Sequence, residues 1–193
     1  MSILLPVRST LLVACIAACC PAQIPITPQR AWDVADRDVV RLSPAHFREL
    51  PTNLVAELQR RGCTIPQVPM VDGLHNVING EFAKPGQTDW AVLCSVNRIS
   101  SILVFWNGSE KNPAEVERGK DIDLLQGWGD DKIVYSRKIS PVGNGYIMEH
   151  YAAYGGEKPP PLDHKGVDDA FYGKASVVRY FNRGKWLRLT GAD

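Results

Sequence analysis

The residues of this 193-residue chain whose types could do chemistry together gather in its last third. Glu149-His150 is followed by Asp163-His164 and Asp168-Asp169, with the stiff triplet Pro159-Pro160-Pro161 between them. Carboxylates and imidazoles in that mixture can hold a divalent metal or move protons as general acid and base. On this reading the protein is a small metal-assisted hydrolase working through Glu149, His150, His164 and Asp168. Each part also has a plainer use. Tyr146 to Tyr154 reads as a strand, on which His150 shares a face with Tyr146, Met148 and Tyr154 as a packed side chain, while alternation sends Glu149 to the other face. Asp163, His164, Asp168 and Asp169 lie between Gly155-Gly156 and Gly173, with no apolar run from Leu162 to Ala170. That composition predicts a mobile, hydrated surface loop and not a catalytic centre. The chain carries no Gly-x-Ser-x-Gly elbow, P-loop, His-Glu-x-x-His or complete dinucleotide glycine fingerprint, and no cofactor is implied.

Aromatic residues crowd the same region and point to binding instead of catalysis. Tyr146, Tyr151, Tyr154, Phe171 and Tyr172 surround the Gly-Gly and Pro-Pro-Pro loops. If exposed, Tyr151, Tyr154, Phe171 and Tyr172 would offer a protein, peptide or glycan ligand a patch framed by rigid loops. If buried, they fill the core of a sheet. The expected function is a binding or structural module of unknown ligand, with the hydrolase as the alternative. Nucleic acid is not an expected partner, because 22 Lys plus Arg against 21 Asp plus Glu leave a net charge of only +1. Counterion release needs a clustered cationic excess.

The beginning of the chain says where it works. Met1 to Ala22 has one cation, Arg8, no acidic residue, and an apolar stretch from Leu11 to Ala18, the pattern of a secretory signal. A membrane-spanning helix needs about 20 apolar residues, so this stretch is too short to span. Ile16-Ala17-Ala18-Cys19 resembles a bacterial lipobox, which would place acyl chains on Cys19. Ordinary cleavage after Ala22, with small residues at Cys20 and Ala22, is the rival. Either way the protein is expected to be exported, and to be periplasmic, outer-membrane-anchored or extracellular, touching a membrane only through a lipid anchor. Cys15, Cys19 and Cys20 lie in the targeting segment, which leaves Cys63 and Cys94 to form one disulfide. Closing that loop should stabilise the fold by about 3 to 4 kcal/mol in the chain-entropy model.

The elements that must position these groups follow from periodicity. Residues 23–42 are polar and contain Pro25 and Pro28, which reads as an extended tether. In the remaining single domain, 43–193, Ser43-Pro44 reads as a helix start, and Phe47, Leu50, Leu54 and Leu58 fall at helical spacing before Gly62, with Pro51 splitting the run. After Cys63 the signal changes. Val77–Phe82, Trp90–Val96, Ser101–Trp106, Ile133–Ile139, Tyr146–Tyr154, Lys174–Phe181 and Lys185–Thr190 read as strands, with turns at Asn97-Arg98 and Asn182-Arg183-Gly184. Trp90–Cys94 and Ile102–Trp106 are apolar on both faces and so are central. Asn107 to Asp131 reads as a long loop. The fold class is α+β: an N-terminal helical segment packed on a mostly antiparallel sheet of about seven strands.

Gly80-Glu81-Phe82-Ala83-Lys84-Pro85-Gly86-Gln87-Thr88-Asp89, followed by the buried run Trp90 to Leu93, resembles a single degenerate FG-GAP or VCBS-type repeat. In that family a Gly-acid-Phe step precedes a calcium loop closed by Asp, and several repeats build extracellular β-propeller blades that serve adhesion and ligand binding. The resemblance stops where metal chemistry would begin. Ala83 and Pro85 stand at the middle oxygen positions, which leaves Glu81 and Asp89 in register against the six to eight oxygens calcium takes. The loop is therefore expected to bind no metal. No second copy follows. Without the family, the same segment reads as a glycine-containing hairpin between two strands.

Overall fold

The apolar runs pair into two four-stranded antiparallel sheets and two short two-stranded ones, rather than a single sheet of seven. The computed structural model describes residues 27–129 and 132–191; the signal pattern, the lipobox and Cys19 lie outside them. In chain order the elements are α1 (Pro28–Asp38), β1 (Arg41–Leu42), α2 (Thr52–Arg60), β2 (Ile65–Pro66), β3 (Val77–Gly80), β4 (Asp89–Val96), β5 (Ile99–Phe105), β6 (Ala114–Lys120), β7 (Leu125–Trp128), β8 (Lys132–Tyr135), β9 (Arg137–Val142), α3 (Asn144–Tyr154), β10 (Gly166–Phe171), β11 (Ala175–Asn182) and β12 (Lys185–Thr190). One large sheet runs β3-β4-β5-β6 and the other β12-β11-β10-β9.

Three apolar clusters stack these pieces into helix, sheet, sheet, helix. β4 and β5 are apolar on both faces because both faces are covered. Outward, Trp90, Val92, Leu103 and Phe105 meet Phe47, Leu50, Leu54 and Leu58, the stripe that sequence spacing marks as helical. Leu54 and Leu58 are fully buried, which contributes about 2 kcal/mol each. Inward, Ala91, Leu93, Ile102 and Val104 meet Ile139 and Val167 of the second sheet. Beyond that sheet, Ile147 of α3 and Leu162 pack on Val178, Tyr180 and Leu189. Cys63, just past α2, is disulfide-bonded to Cys94 in β4, with Cα atoms 5.4 Å apart. The bond ties the outer helix to the centre of its sheet.

Several expectations change. The stretch expected as an extended tether carries α1. Thr27 Oγ1 caps it by accepting from Arg30 N at 3.4 Å, Pro28 fits the first turn, and Trp32, Ala35 and Val39 pack on the core. Pro28, read from the sequence as extended chain, is a helix-start residue here, and Pro25 lies outside the described residues. The expected strand Tyr146–Tyr154 is α3, which ends at Gly155 with φ 76°. Its aromatic residues favour strands by propensity, yet Ile147 and Tyr151 recur at the four-residue spacing of a helix face. The expected loop 107–131 contains β6 and β7; β6 is a sheet edge, and its charged residues are the solvated kind that edges use. The expected loop around Asp168-Asp169 is β10, hydrogen-bonded between β9 and β11.

Ile133–Ile139, expected as one strand, is divided at Ser136 between β8 and β9, which belong to different sheets, and Phe47 and Leu50, expected on a helix, lie in the turn before α2. Pro51 immediately precedes α2, and Ser43 Oγ accepts from Ala45 N at 3.4 Å at the head of a short 3-10 turn. Asn97 and Arg98 turn β4 into β5 with φ of 52° and 61°, the left-handed pair a tight hairpin requires. Arg41 clamps α1 to this sheet: it donates to Asp36 Oδ1 at 2.9 Å and to Asp121 Oδ2 at 2.8 Å, while Arg98 reaches Asp36 Oδ2 at 3.4 Å.

Candidate functional site

Because β10 pairs on both sides, its side chains alternate between the two faces of the second sheet, and Asp168 and Asp169 part company. Asp168 points to the layer of α3, and Asp169 points between the sheets. Each carboxylate therefore belongs to a different site.

On the α3 side, His150 is buried at 5 % exposure. Its ring lies 6.2 Å from that of Tyr146 and 4.9 Å, edge-on, from that of Tyr154. Positions 146, 150 and 154 recur every four residues, so the three rings form one row along the helix. Tyr146 and Tyr154 are exposed at 42 % and 53 %. Gly191, just after β12, closes the row from below. It donates to Ser176 O at 2.8 Å, and a Cβ there would come within 2.8 Å of that oxygen and 3.0 Å of His150 Cε1. Only a residue without a side chain lets the strand end approach the imidazole this closely.

Two buried polar atoms of this site, His150 Nε2 and Asp168 Oδ1, have no hydrogen-bond partner. Burial pushes the Asp168 carboxyl above its ordinary range, opposed by the Ser176 hydroxyl and by the charge of His150. Burial also raises the Tyr146 phenol, and the Asp168 charge adds to that. A carboxyl, an imidazole and two hydroxyls thus share one partly shielded corner under two exposed rings. The two unpartnered atoms are closed off from solvent, so hydrogen-bonding capacity is left unused beneath the exposed rings.

The other candidates of the sequence lie elsewhere. Glu149 is exposed on α3, roughly 100° around the helix from His150. Asp163 and His164 are in the loop before β10, and the next residue, Lys165, donates to Glu81 O at 2.8 Å across that loop. Among the described residues, no three His, Cys, Asp or Glu side chains converge as a metal site requires. The four aromatics split. Tyr151 packs into the α3 core, Tyr154 is outside, Phe171 carries the Lys174 ammonium 5.7 Å from its ring centroid, and Tyr172 stacks on Trp128 at 6.4 Å.

Between the sheets, Asp169 is shared by two buried guanidinium groups. Arg137 Nε is 2.7 Å from Oδ1, and Arg179 Nε is 3.1 Å from Oδ2. Arg179 Nη2 also pairs with Glu117 Oε2 at 2.8 Å. Arg137, Arg179, Glu117 and Ser176 are the residues sequence reading missed. The available signal was a single Arg inside an otherwise apolar strand, as in Val177-Val178-Arg179-Tyr180. A buried strand tolerates such a residue only if it is paired.

In the loop that resembles a calcium loop, Asp89 is fully buried and its carboxylate accepts four hydrogen bonds. Phe82 N and Ala83 N reach Oδ2 at 2.9 Å each, Gln87 Nε2 reaches Oδ1 at 2.7 Å, and Asn107 N reaches Oδ1 at 2.8 Å. These donors occupy the lone pairs a cation would need. No described helix is long and apolar enough to cross a membrane. Comparison with protein-family models, with curated proteins and with solved structures finds no match to this chain.

Proposed function

We propose that the protein is an exported binding module that takes a peptide segment of a protein partner on the outer face of α3, with Tyr146 and Tyr154 as the anchoring side chains. The observation that carries this reading is the pair of exposed tyrosines flanking buried His150 in one row. Tyrosines of this kind supply large contact area at low entropy cost, and their own hydroxyls give direction to a bound chain. Export rests on the signal pattern of residues 1–22 and is in keeping with the Cys63–Cys94 bond, since disulfides persist in oxidising compartments. Acylation of Cys19 would hold the module at a membrane surface.

Selection from a displayed peptide library on the intact domain tests this. Selected peptides should lose most of their binding to Tyr146→Ala, Tyr154→Ala. Equal binding to parent and double variant would move the site off α3. Mass spectrometry of the mature N-terminus decides whether Cys19 is acylated.

A further inference from the structure

We propose a second binding site, in the cleft beside Arg179, for an organic carboxylate with a short apolar body, and we propose that the side chain of Glu117 occupies that site in the free protein. The charge arrangement leads to this. Arg137 and Arg179 are 3 % and 9 % exposed, and Asp169, at 7 %, is the buried carboxylate they share. Two cations over one anion leave a positive excess between the sheets. Glu117 makes up the difference from outside: its side chain is 47 % exposed while its Oε2 sits 2.8 Å from Arg179 Nη2. A half-solvated carboxylate is a weakly held partner, because water competes for it and mobility opposes the contact.

The backbone sets where Glu117 points. The β5–β6 pairing shifts register between Ser100 and Ile102, and Glu117 takes the extra place with φ 47°. That left-handed conformation is uncommon for a residue with a Cβ, and bulges of this kind re-aim a side chain out of the strand. Here it is aimed at Arg179. The cleft in front has a volume of about 350 Å³. Arg179 stands at one end, Leu124, Phe171 and Val177 form an apolar wall, and Lys120 and Asp123, of opposite charge, also line the cleft. Guanidinium geometry matches a carboxylate, and the contact with Glu117 displays that match. The apolar wall suits a short hydrocarbon chain behind the carboxylate, and inorganic anions have no such part. This site lies on the opposite face of the second sheet from α3 and does not depend on the peptide reading.

Hexanoate at neutral pH is the probe, titrated calorimetrically into the intact domain and into Glu117→Ala, with hexan-1-ol and inorganic phosphate as controls. Removing the internal competitor should tighten hexanoate binding by about two- to fivefold, with hexanol and phosphate left far weaker. In the unmodified protein, saturating hexanoate should shift the Glu117 side-chain carboxyl carbon resonance as Glu117 leaves Arg179 Nη2, and this reading needs no variant. The proposal is overturned if Glu117→Ala binds hexanoate no better than the parent, or if that resonance does not move. Phosphate binding as tightly as hexanoate would overturn the ligand class, because the apolar wall would then contribute nothing.

Discussion

Arg137 grips Asp169 side-on, with Nε 2.7 Å from Oδ1 and Nη2 2.9 Å from Oδ2. Two parallel charge-assisted bonds fix both groups in one plane between the sheets. Since Arg179 leans on the same carboxylate, removing it leaves two buried cations facing each other. Asp169→Asn should therefore destabilise the fold by about 3 to 5 kcal/mol in urea unfolding, the range for breaking a buried pair. A loss below about 1 kcal/mol would mean that water already solvates these arginines.

Reduction is the second perturbation. The Cys63–Cys94 bond closes a loop spanning 31 positions, so reducing it should cost about 3 to 4 kcal/mol. Unfolding midpoints with and without reductant measure this. Cys63→Ala, Cys94→Ala should match the reduced protein and be insensitive to reductant.

The third concerns acid. Val68 N donates to His75 Nε2 at 2.7 Å, so that nitrogen is the acceptor and Nδ1, 3.1 Å from Gly73 O, carries the hydrogen. Burial lowers the pKa of His75 from 6.5, the Gly73 carbonyl opposing and the Lys138 charge assisting. The fold holds the neutral ring, so the unfolded chain takes up the proton first. The stabilisation is complete above the unfolded value of 6.5 and declines as pH falls below it. Melting temperature followed between about pH 7 and pH 5 should fall in the parent and stay flatter in His75→Ala. Parallel slopes would exclude His75 as the cause.

Asp89 supplies the fourth. Asp89→Ala strands the donors of Phe82, Ala83, Gln87 and Asn107, which should cost about 3 kcal/mol or more given the penalty for unpaired buried groups. Chelator should leave the melting temperature of the parent unchanged. A drop of several degrees that calcium reverses would assign the loop to a metal after all.

What could be read from residue order depended on how far each signal reached along the chain. Leu54 and Leu58 of α2, the two-faced runs of β4 and β5, and the Cys63–Cys94 pair are legible, because local periodicity or elimination among few cysteines decides them. Phe47 and Leu50 share the apolar spacing and the core but lie in the turn between the 3-10 turn and α2. Tyr146–Tyr154 was misread because its aromatic residues prefer strands, and the sheet it packs on, which makes it a helix, comes later in the chain. Asp168 and Asp169 looked like loop residues because their partners sit on β9, β11 and α3. Only the pairing of β10 with both neighbours sends one carboxylate to Arg137 and the other to the His150 corner. His150 itself was singled out by type, while Ser176 and Gly191 carried no signal at all.

The clamp on α1 implies an order of assembly. β4 and β5 meet across a two-residue turn, which closes at small entropic cost and on the timescale of a hairpin. Arg41 and Asp121 are 80 positions apart, and Arg98, the third member of the clamp, is presented by that same turn. The clamp on α1 therefore cannot close until the hairpin has formed and β6 has carried Asp121 into place. Contacts closed over so long a separation are expected to open before the hairpin does. Amide hydrogens of Trp32 to Asp38 should exchange through a local opening well before those of Ala91 to Leu93, which wait for the whole fold to come apart.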